Sequence, residues 1–68
     1  MFKPGDVVRH LKSGGFYVID KLAKLEWNLE ECYVYSLLGD PSGVTWVRYK
    51  EEMEDGRFEL IETVPNGA

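Results

Sequence analysis

The arrangement in this sequence that is best suited to bind a ligand is an arginine two residues after a tryptophan. Arg48 follows Trp46 by two residues within an otherwise apolar segment, so the two side chains share one face if the segment is a strand. A guanidinium in that position loses part of its hydration and needs a carboxylate or a ligand anion in its fork. The indole beside it offers a stacking plane for a nucleobase or a proline.

Cations and aromatic rings elsewhere in the chain extend this arrangement. Arg9 also lies in an apolar segment, between Val8 and His10, so the same hydration argument applies to it. The residues that we predict to bind a ligand are Arg9, His10, Lys12, Tyr17, Tyr35, Trp46 and Arg48. The alternative left open is that the two arginines form inter-strand salt bridges with Asp20, Glu31 or a C-terminal glutamate.

The sequence predicts no catalytic or metal-binding constellation. One cysteine and one histidine cannot supply the four ligands of a zinc module. The acidic residues within positions 51–55 lie in a polar stretch, which predicts a solvated loop rather than a pair of catalytic carboxylates. Cys32 lies in an apolar segment without an evident activating base, so we expect a small buried side chain. We therefore predict a non-enzymatic protein that needs no cofactor.

Length and charge narrow the function classes further. A chain of 68 residues forms at most one small domain with a thin core. The net charge of −4 argues against a general DNA or RNA binder, whose affinity comes from neutralising phosphates. The charge is uneven, because residues 1–25 hold five cations and two anions, whereas residues 26–68 hold three cations and ten anions. A local cationic site on an acidic body is therefore expected.

No segment of the sequence is typical of a signal peptide or a membrane span. The N-terminus lacks the apolar stretch of a signal peptide, and no apolar run approaches the ~20 residues that cross a bilayer. A single free cysteine fits a reducing compartment. We therefore expect a cytoplasmic protein with no membrane partner.

Short runs of strand-forming residues, separated by Gly, Pro and Asp turns, position these side chains. Five strands are predicted, at residues 7–11, 16–19, 32–38, 44–49 and 57–62. The second strand is predicted to continue through residues 21–25 and to lead into a long loop through residues 26–30, with a short helix as the alternative. This pattern predicts an all-β fold, a small five-stranded antiparallel SH3-like barrel with one short helical turn near residues 50–55. An OB-fold is less favoured because the chain is short for one.

Strand alternation also predicts the two faces of the sheet. If a loop of residues 39–43 joins the third and fourth strands, Ser36 lies opposite Trp46 and Val34 opposite Arg48, and a shift of one residue reverses the faces. In the first hairpin, His10 is expected opposite Tyr17. We predict Val18, Val34 and Phe58 in the core.

The sequence also predicts where the domain ends and whether it forms a dimer. Residues 1–63 are expected to form a single domain and residues 64–68 a flexible tail. A thin core and open sheet edges predict self-association as a twofold dimer.

Several of these segments together resemble a known family. They are Val8-Arg9-His10-Leu11-Lys12, Gly15-Phe16-Tyr17-Val18-Ile19, Tyr33-Val34-Tyr35, Trp46-Val47-Arg48 and Arg57-Phe58. In order and spacing they resemble a widespread family of small uncharacterised bacterial and phage domains, over residues 7–61. The resemblance implies a small β-barrel and brings no assigned activity. Lys50-Glu51-Glu52 stands in place of the proline-containing segment of the family pattern, so the loop after the fourth strand departs from that pattern.

The sequence predicts two alternative functions. The first is non-enzymatic binding of a small anionic ligand with an aromatic group, such as a signalling nucleotide, which a phage-encoded protein would sequester as a counter-defence sponge. The second is an SH3-like interaction module that docks an extended peptide on its aromatic surface. The positions of Arg9 and Arg48 discriminate between the two functions. If both side chains point into one concavity, ligand binding is favoured. If they form salt bridges on opposite sides of the sheet, peptide docking is favoured.

Overall fold

The computed structural model of the chain describes residues 1–63 and consists of one antiparallel sheet with a short helical segment. The elements are β1 (Asp6–His10), β2 (Phe16–Lys24), β3 (Glu31–Leu37), β4 (Thr45–Tyr49), α1 (Lys50–Glu52), a π-type turn (Met53–Arg57) and β5 (Phe58–Thr63). The strands are ordered β4-β3-β2-β1-β5. The predicted all-β, five-stranded antiparallel fold with a helical turn near residues 50–55 is confirmed. The predicted tail, residues 64–68, lies outside the described residues.

The sheet curls so that its two edges approach each other without closing by hydrogen bonds. β4 and β5 are the edge strands, yet the Arg48 guanidinium of β4 lies 5.7 Å from the centre of the Phe58 ring of β5. Register shifts at Val7/Val8 in β1 and at Ile19/Lys21 in β2 supply the bend, because a bulge increases the local twist of a strand. The result is a barrel-like sheet with an open seam between β4 and β5.

The concave side of the sheet holds the core. Its buried members are Phe2, Val8, Ile19, Tyr33, Tyr35, Met53 and Phe58. Met53, which is fully buried, brings the segment after β4 into the core. The predicted core position of Phe58 is confirmed. The predictions for Val18 and Val34 are wrong, because both are only half-buried and alternate with the inward-facing residues of their strands.

The register of the second hairpin differs by one residue from the prediction. Tyr35 lies opposite Trp46, Tyr33 opposite Arg48 and Val34 opposite Val47. The loop begins earlier than expected because the Asp40 N–H donates to the Leu37 carbonyl at 3.1 Å. The predicted pairs of Ser36 with Trp46 and of Val34 with Arg48 are therefore wrong.

In the first hairpin, Tyr17 lies opposite Val8 rather than opposite His10. The His10 N–H instead donates to the Gly15 carbonyl at 2.8 Å. Gly14 has a φ of 77° in the intervening turn, a conformation that glycine adopts without steric cost.

The segment of residues 20–30 extends the sheet. β2 continues to Lys24, as predicted, and the helical alternative is wrong. The loop that follows is closed by two backbone hydrogen bonds, from the Leu25 N–H to the Glu30 carbonyl and from the Leu29 N–H to the Leu25 carbonyl. Trp27, on this loop, is highly exposed.

Among residues 1–63, no helix has both the length and the apolar character that crossing a bilayer requires.

Candidate functional site

An aromatic cluster on the concave face forms the base of the candidate site. The Phe58 ring contacts His10 at 4.8 Å and Tyr35 at 5.8 Å between ring centres. Tyr17 packs edge-on against Tyr35 at 5.3 Å. These residues come from β5, β1, β3 and β2, so the curl of the sheet brings four strands together around one ring. Edge-to-face contacts of this kind are favourable because the ring edge is positive and the ring face negative.

Arg48 lies at the centre of the seam between the two sheet edges. Its Nε donates to Glu52 Oε1 at 3.0 Å, and its guanidinium lies over the Phe58 ring. The bond to Glu52 raises the pKa of Arg48 above its ordinary value. Burial raises the pKa of Tyr35, and the nearby Arg48 charge partly opposes that shift. Arg48 is therefore a half-buried cation held by a carboxylate and by aromatic rings.

Glu52 connects Arg48 with a second arginine. The same oxygen, Oε1, accepts from Arg57 Nη1 at 3.2 Å, and Arg57 Nε lies 3.2 Å from Asp55 Oδ2. The prediction of a merely solvated acidic loop is wrong for Glu52, which sets the positions of two guanidinium groups. Glu54 is exposed, as predicted, and its carboxylate accepts a hydrogen bond from the Tyr33 hydroxyl.

Four basic side chains surround one hollow at the seam. They are His10, Lys12, Arg48 and Arg57, and the hollow has a volume of about 440 Å³. The imidazole is oriented on one side by Ser13, whose Oγ lies 2.8 Å from Nδ1, and on the other by Phe58. The cations Lys12, Arg48 and Arg57 outnumber the carboxylates of Glu52 and Asp55 that bridge to the arginines, so a net positive charge remains at this hollow in a chain with a net charge of −4. Its chemistry suits a small anion.

A larger hollow of about 610 Å³ lies beside the first, along β4. Its lining residues are Leu25, Cys32, Tyr35, Trp46, Val47, Arg48, Tyr49 and Glu52. Trp46 is 52% exposed, so its ring is accessible to a ligand. Cys32 is buried, as predicted, and burial raises the pKa of its thiol. Arg48 lines both hollows and connects the cationic one to the aromatic one.

The structure therefore brings together six of the seven residues singled out in the sequence and separates the seventh. His10, Lys12 and Arg48 line the cationic hollow, Tyr35 and Trp46 line the aromatic one, and Tyr17 packs beneath them.

Arg9 lies on the convex face, opposite Phe16 on β2 and Glu59 on β5. Arg9 lines neither of the two hollows, because adjacent residues of a strand point to opposite faces and His10 points inward. Among residues 1–63 the structure shows no salt bridge for Arg9, while Arg48 bridges to Glu52 rather than to the carboxylates proposed from the sequence. Within this described part of the chain the two arginines thus share no concavity and do not both form salt bridges, so their positions favour neither of the two functions.

Sequence reasoning missed Arg57 and Glu52 as parts of the site. The sequence predicts Arg57 at the start of the fifth strand and Glu52 in a charged loop. The spacing of Arg48 and Glu52, four residues apart, is the usual signal of a helical ion pair, but it spans the junction of a strand and a helix here. Only the three-dimensional path of residues 49–57 brings the two arginines to one carboxylate.

Comparisons with protein families, with curated proteins and with solved structures find no match for this chain.

Proposed function

We propose that this chain is a non-enzymatic binding protein for a small anionic ligand that carries an aromatic group, such as a nucleotide. The observation that carries the proposal is the hollow in which His10, Lys12, Arg48 and Arg57 converge. Sequestration of a signalling nucleotide in the cytoplasm, as by a phage counter-defence sponge, is the biological role that this chemistry fits.

The two adjacent hollows suit the two parts of a nucleotide. A phosphate in the cationic hollow would accept hydrogen bonds from Lys12 and Arg57, and guanidinium groups bind phosphate oxygens in a bidentate manner. A base in the neighbouring hollow would stack on the exposed ring of Trp46, an interaction worth about 1–3 kcal/mol per base. Arg48, which lines both hollows, would lie between the phosphate and the base.

Glu52 has two opposing effects on the affinity of this site for an anion. Its carboxylate holds Arg48 and Arg57 at 3.0 and 3.2 Å, which orders the two guanidinium groups before a ligand arrives. Each guanidinium has five N–H donors, so both retain donors for a phosphate. The negative charge of Glu52 also opposes an incoming anion, so the affinity depends on the balance between preorganisation and repulsion.

Isothermal titration with nucleoside mono- and diphosphates and with inorganic phosphate tests the proposal. Arg57→Gln is expected to weaken the binding of all these anions, and Trp46→Ala to weaken only the nucleotides. Arg9→Gln is the matched control, because it removes the same charge from the convex face and should leave binding unchanged. Equal losses in Arg57→Gln and Arg9→Gln would show that only overall charge matters, and the absence of any binding would refute the proposal.

Docking of an extended peptide is the second candidate function. The observation that favours it is the aromatic hollow along β4, which is larger than the cationic one and is lined by Tyr35, Trp46 and Tyr49. Rings of this kind line the grooves in which SH3-like modules bind proline-rich segments. In this case Trp46→Ala abolishes binding of proline-rich peptides in a peptide-library screen, whereas Arg57→Gln leaves it unchanged.

A further inference from the structure

The two edges of the sheet differ in how they are protected against association. β4 and β5 each pair with one neighbouring strand among the described residues, so alternate backbone groups of each strand are free to bind another strand. Natural edge strands are commonly protected by charged side chains. β5 carries two exposed glutamates, Glu59 and Glu62. β4 exposes Trp46 and Val47, and its only charged residue, Arg48, is held by Glu52.

β4 is also complementary to itself. When two copies of Thr45–Tyr49 pair antiparallel over their whole length, Val47 lies opposite Val47 of the second copy. Trp46 then lies opposite Arg48 of the second copy, and this pair occurs twice because of the twofold axis. A guanidinium next to an indole face is attracted by the negative charge of the ring, and cross-strand neighbours of this kind stabilise a sheet.

The other edge lacks this complementarity. When two copies of Phe58–Thr63 pair antiparallel over their whole length, Glu59 lies opposite Glu62 of the second copy, again twice. Like charges directly opposite each other destabilise strand pairing. Pairing of β4 with β5 of another copy is a head-to-tail contact, which produces an open fibre or a ring rather than a closed dimer.

We propose that the chain forms a twofold dimer through antiparallel pairing of β4 with β4 of a second copy, which joins two five-stranded sheets into one. The second copy contributes its Trp46 to the rim of the aromatic hollow, beside Arg48. The dimer goes beyond the proposed ligand binding, and its test measures mass and cross-linking rather than affinity for a ligand. The two proposals can therefore fail separately.

Sedimentation tests the dimer at high micromolar concentration. The unmodified chain is expected to sediment at twice its mass of 7.8 kDa. Val47 is 59% exposed, so Val47→Lys is compatible with the folded monomer, but it places two ammonium groups opposite each other in the dimer. We expect this variant to raise the dimer dissociation constant by about tenfold or more, equivalent to ~1.4 kcal/mol, with an unchanged circular dichroism spectrum. Ile61→Lys on β5 is the matched control and should leave the dimer intact.

Cross-linking tests the register. Residues directly opposite in an antiparallel pair have Cα atoms about 4.5–5.5 Å apart, which lies within the range that a disulfide spans. In a Cys32→Ala background, Val47→Cys should form a covalent dimer on oxidation by glutathione disulfide, and Ile61→Cys should not. A chain that stays monomeric, or a dimer that Ile61→Lys dissociates and Val47→Lys does not, overturns the proposal. A monomer would leave the β4 edge to an extended peptide partner.

Discussion

Replacing Tyr33 with phenylalanine removes a single oxygen atom that connects three parts of the molecule. The Tyr33 side chain is fully buried in β3. Its hydroxyl accepts a hydrogen bond from the Phe2 N–H at 2.9 Å and donates one to the Glu54 carboxylate. The hydroxyl therefore holds the N-terminal segment and the turn before β5 against the central strand.

The expected cost follows from what remains after the substitution. The Phe2 N–H loses its partner in a buried position, which costs about 1–3 kcal/mol. Glu54 is exposed, so a hydrogen bond from water replaces most of the energy of the one that its carboxylate accepts from Tyr33. We expect a total loss of about 2 kcal/mol from a stability of roughly 3–5 kcal/mol for a chain of this size. At about 4–8 °C per kcal/mol for a small domain, the melting temperature should fall by roughly 8–16 °C.

Thermal and urea unfolding at pH 7, followed by circular dichroism, measure this loss. Tyr49→Phe is the matched control, because among residues 1–63 the structure shows no side-chain hydrogen bond for the half-buried Tyr49. It should change the stability by less than about 0.5 kcal/mol. If Tyr33→Phe is as stable as the unmodified chain, the hydroxyl does not connect these segments in solution and the reasoning is refuted.

Four further outcomes are expected. Burial and the hydrogen bond to Glu54 raise the pKa of Tyr33 to about 12 from 10.0. The contribution of the neutral Tyr33 to the free energy of unfolding is therefore fully present below pH 10 and is lost as the pH rises towards 12. Urea midpoints between pH 9 and 12 should consequently fall more steeply for the unmodified chain than for Tyr33→Phe. In urea titrations Val8→Ala should cost about 2 kcal/mol and Val34→Ala less than about 1 kcal/mol, and the opposite order would contradict the assignment of faces. Glu52→Gln removes the charge that competes for the arginines, so calorimetry should show inorganic phosphate binding about three- to tenfold tighter; weaker binding would show that preorganisation dominates. Gly56 has a φ of 105°, so Gly56→Ala should destabilise the chain by about 1–2 kcal/mol in thermal unfolding, and an unchanged melting temperature would contradict that backbone conformation.

The amino-acid sequence by itself determined the number, type and approximate positions of the strands. Aromatic and β-branched runs such as Cys32–Leu38 favour extended backbone, and Gly, Pro and Asp interrupt them at the turns. Alternation also placed Trp46 and Arg48 on one face in either register, because side chains two residues apart in a strand always share a face. The burial of Cys32 followed from its apolar neighbours.

Tertiary structure alone decided which face became the inside. A shift of one residue between β3 and β4 exchanges every pair across the hairpin, and the hydrogen bond from the Asp40 N–H at the end of β3 selects the register. That register places Arg48 and Trp46 beside Tyr33 and Tyr35, whose face packs into the core, and pairs the half-buried Val34 with Val47 on the other face.

The composition of the cationic hollow was decided in the same way. Arg57 joins Arg48 because both bind one oxygen of Glu52, whereas the separation of Arg9 from His10 follows from alternation along β1. Alternation along a strand is a local property that a sequence displays. The contact between β4 and the segment before β5 depends instead on the curl of the whole sheet, which arises from bulges in β1 and β2 and from packing around Phe58.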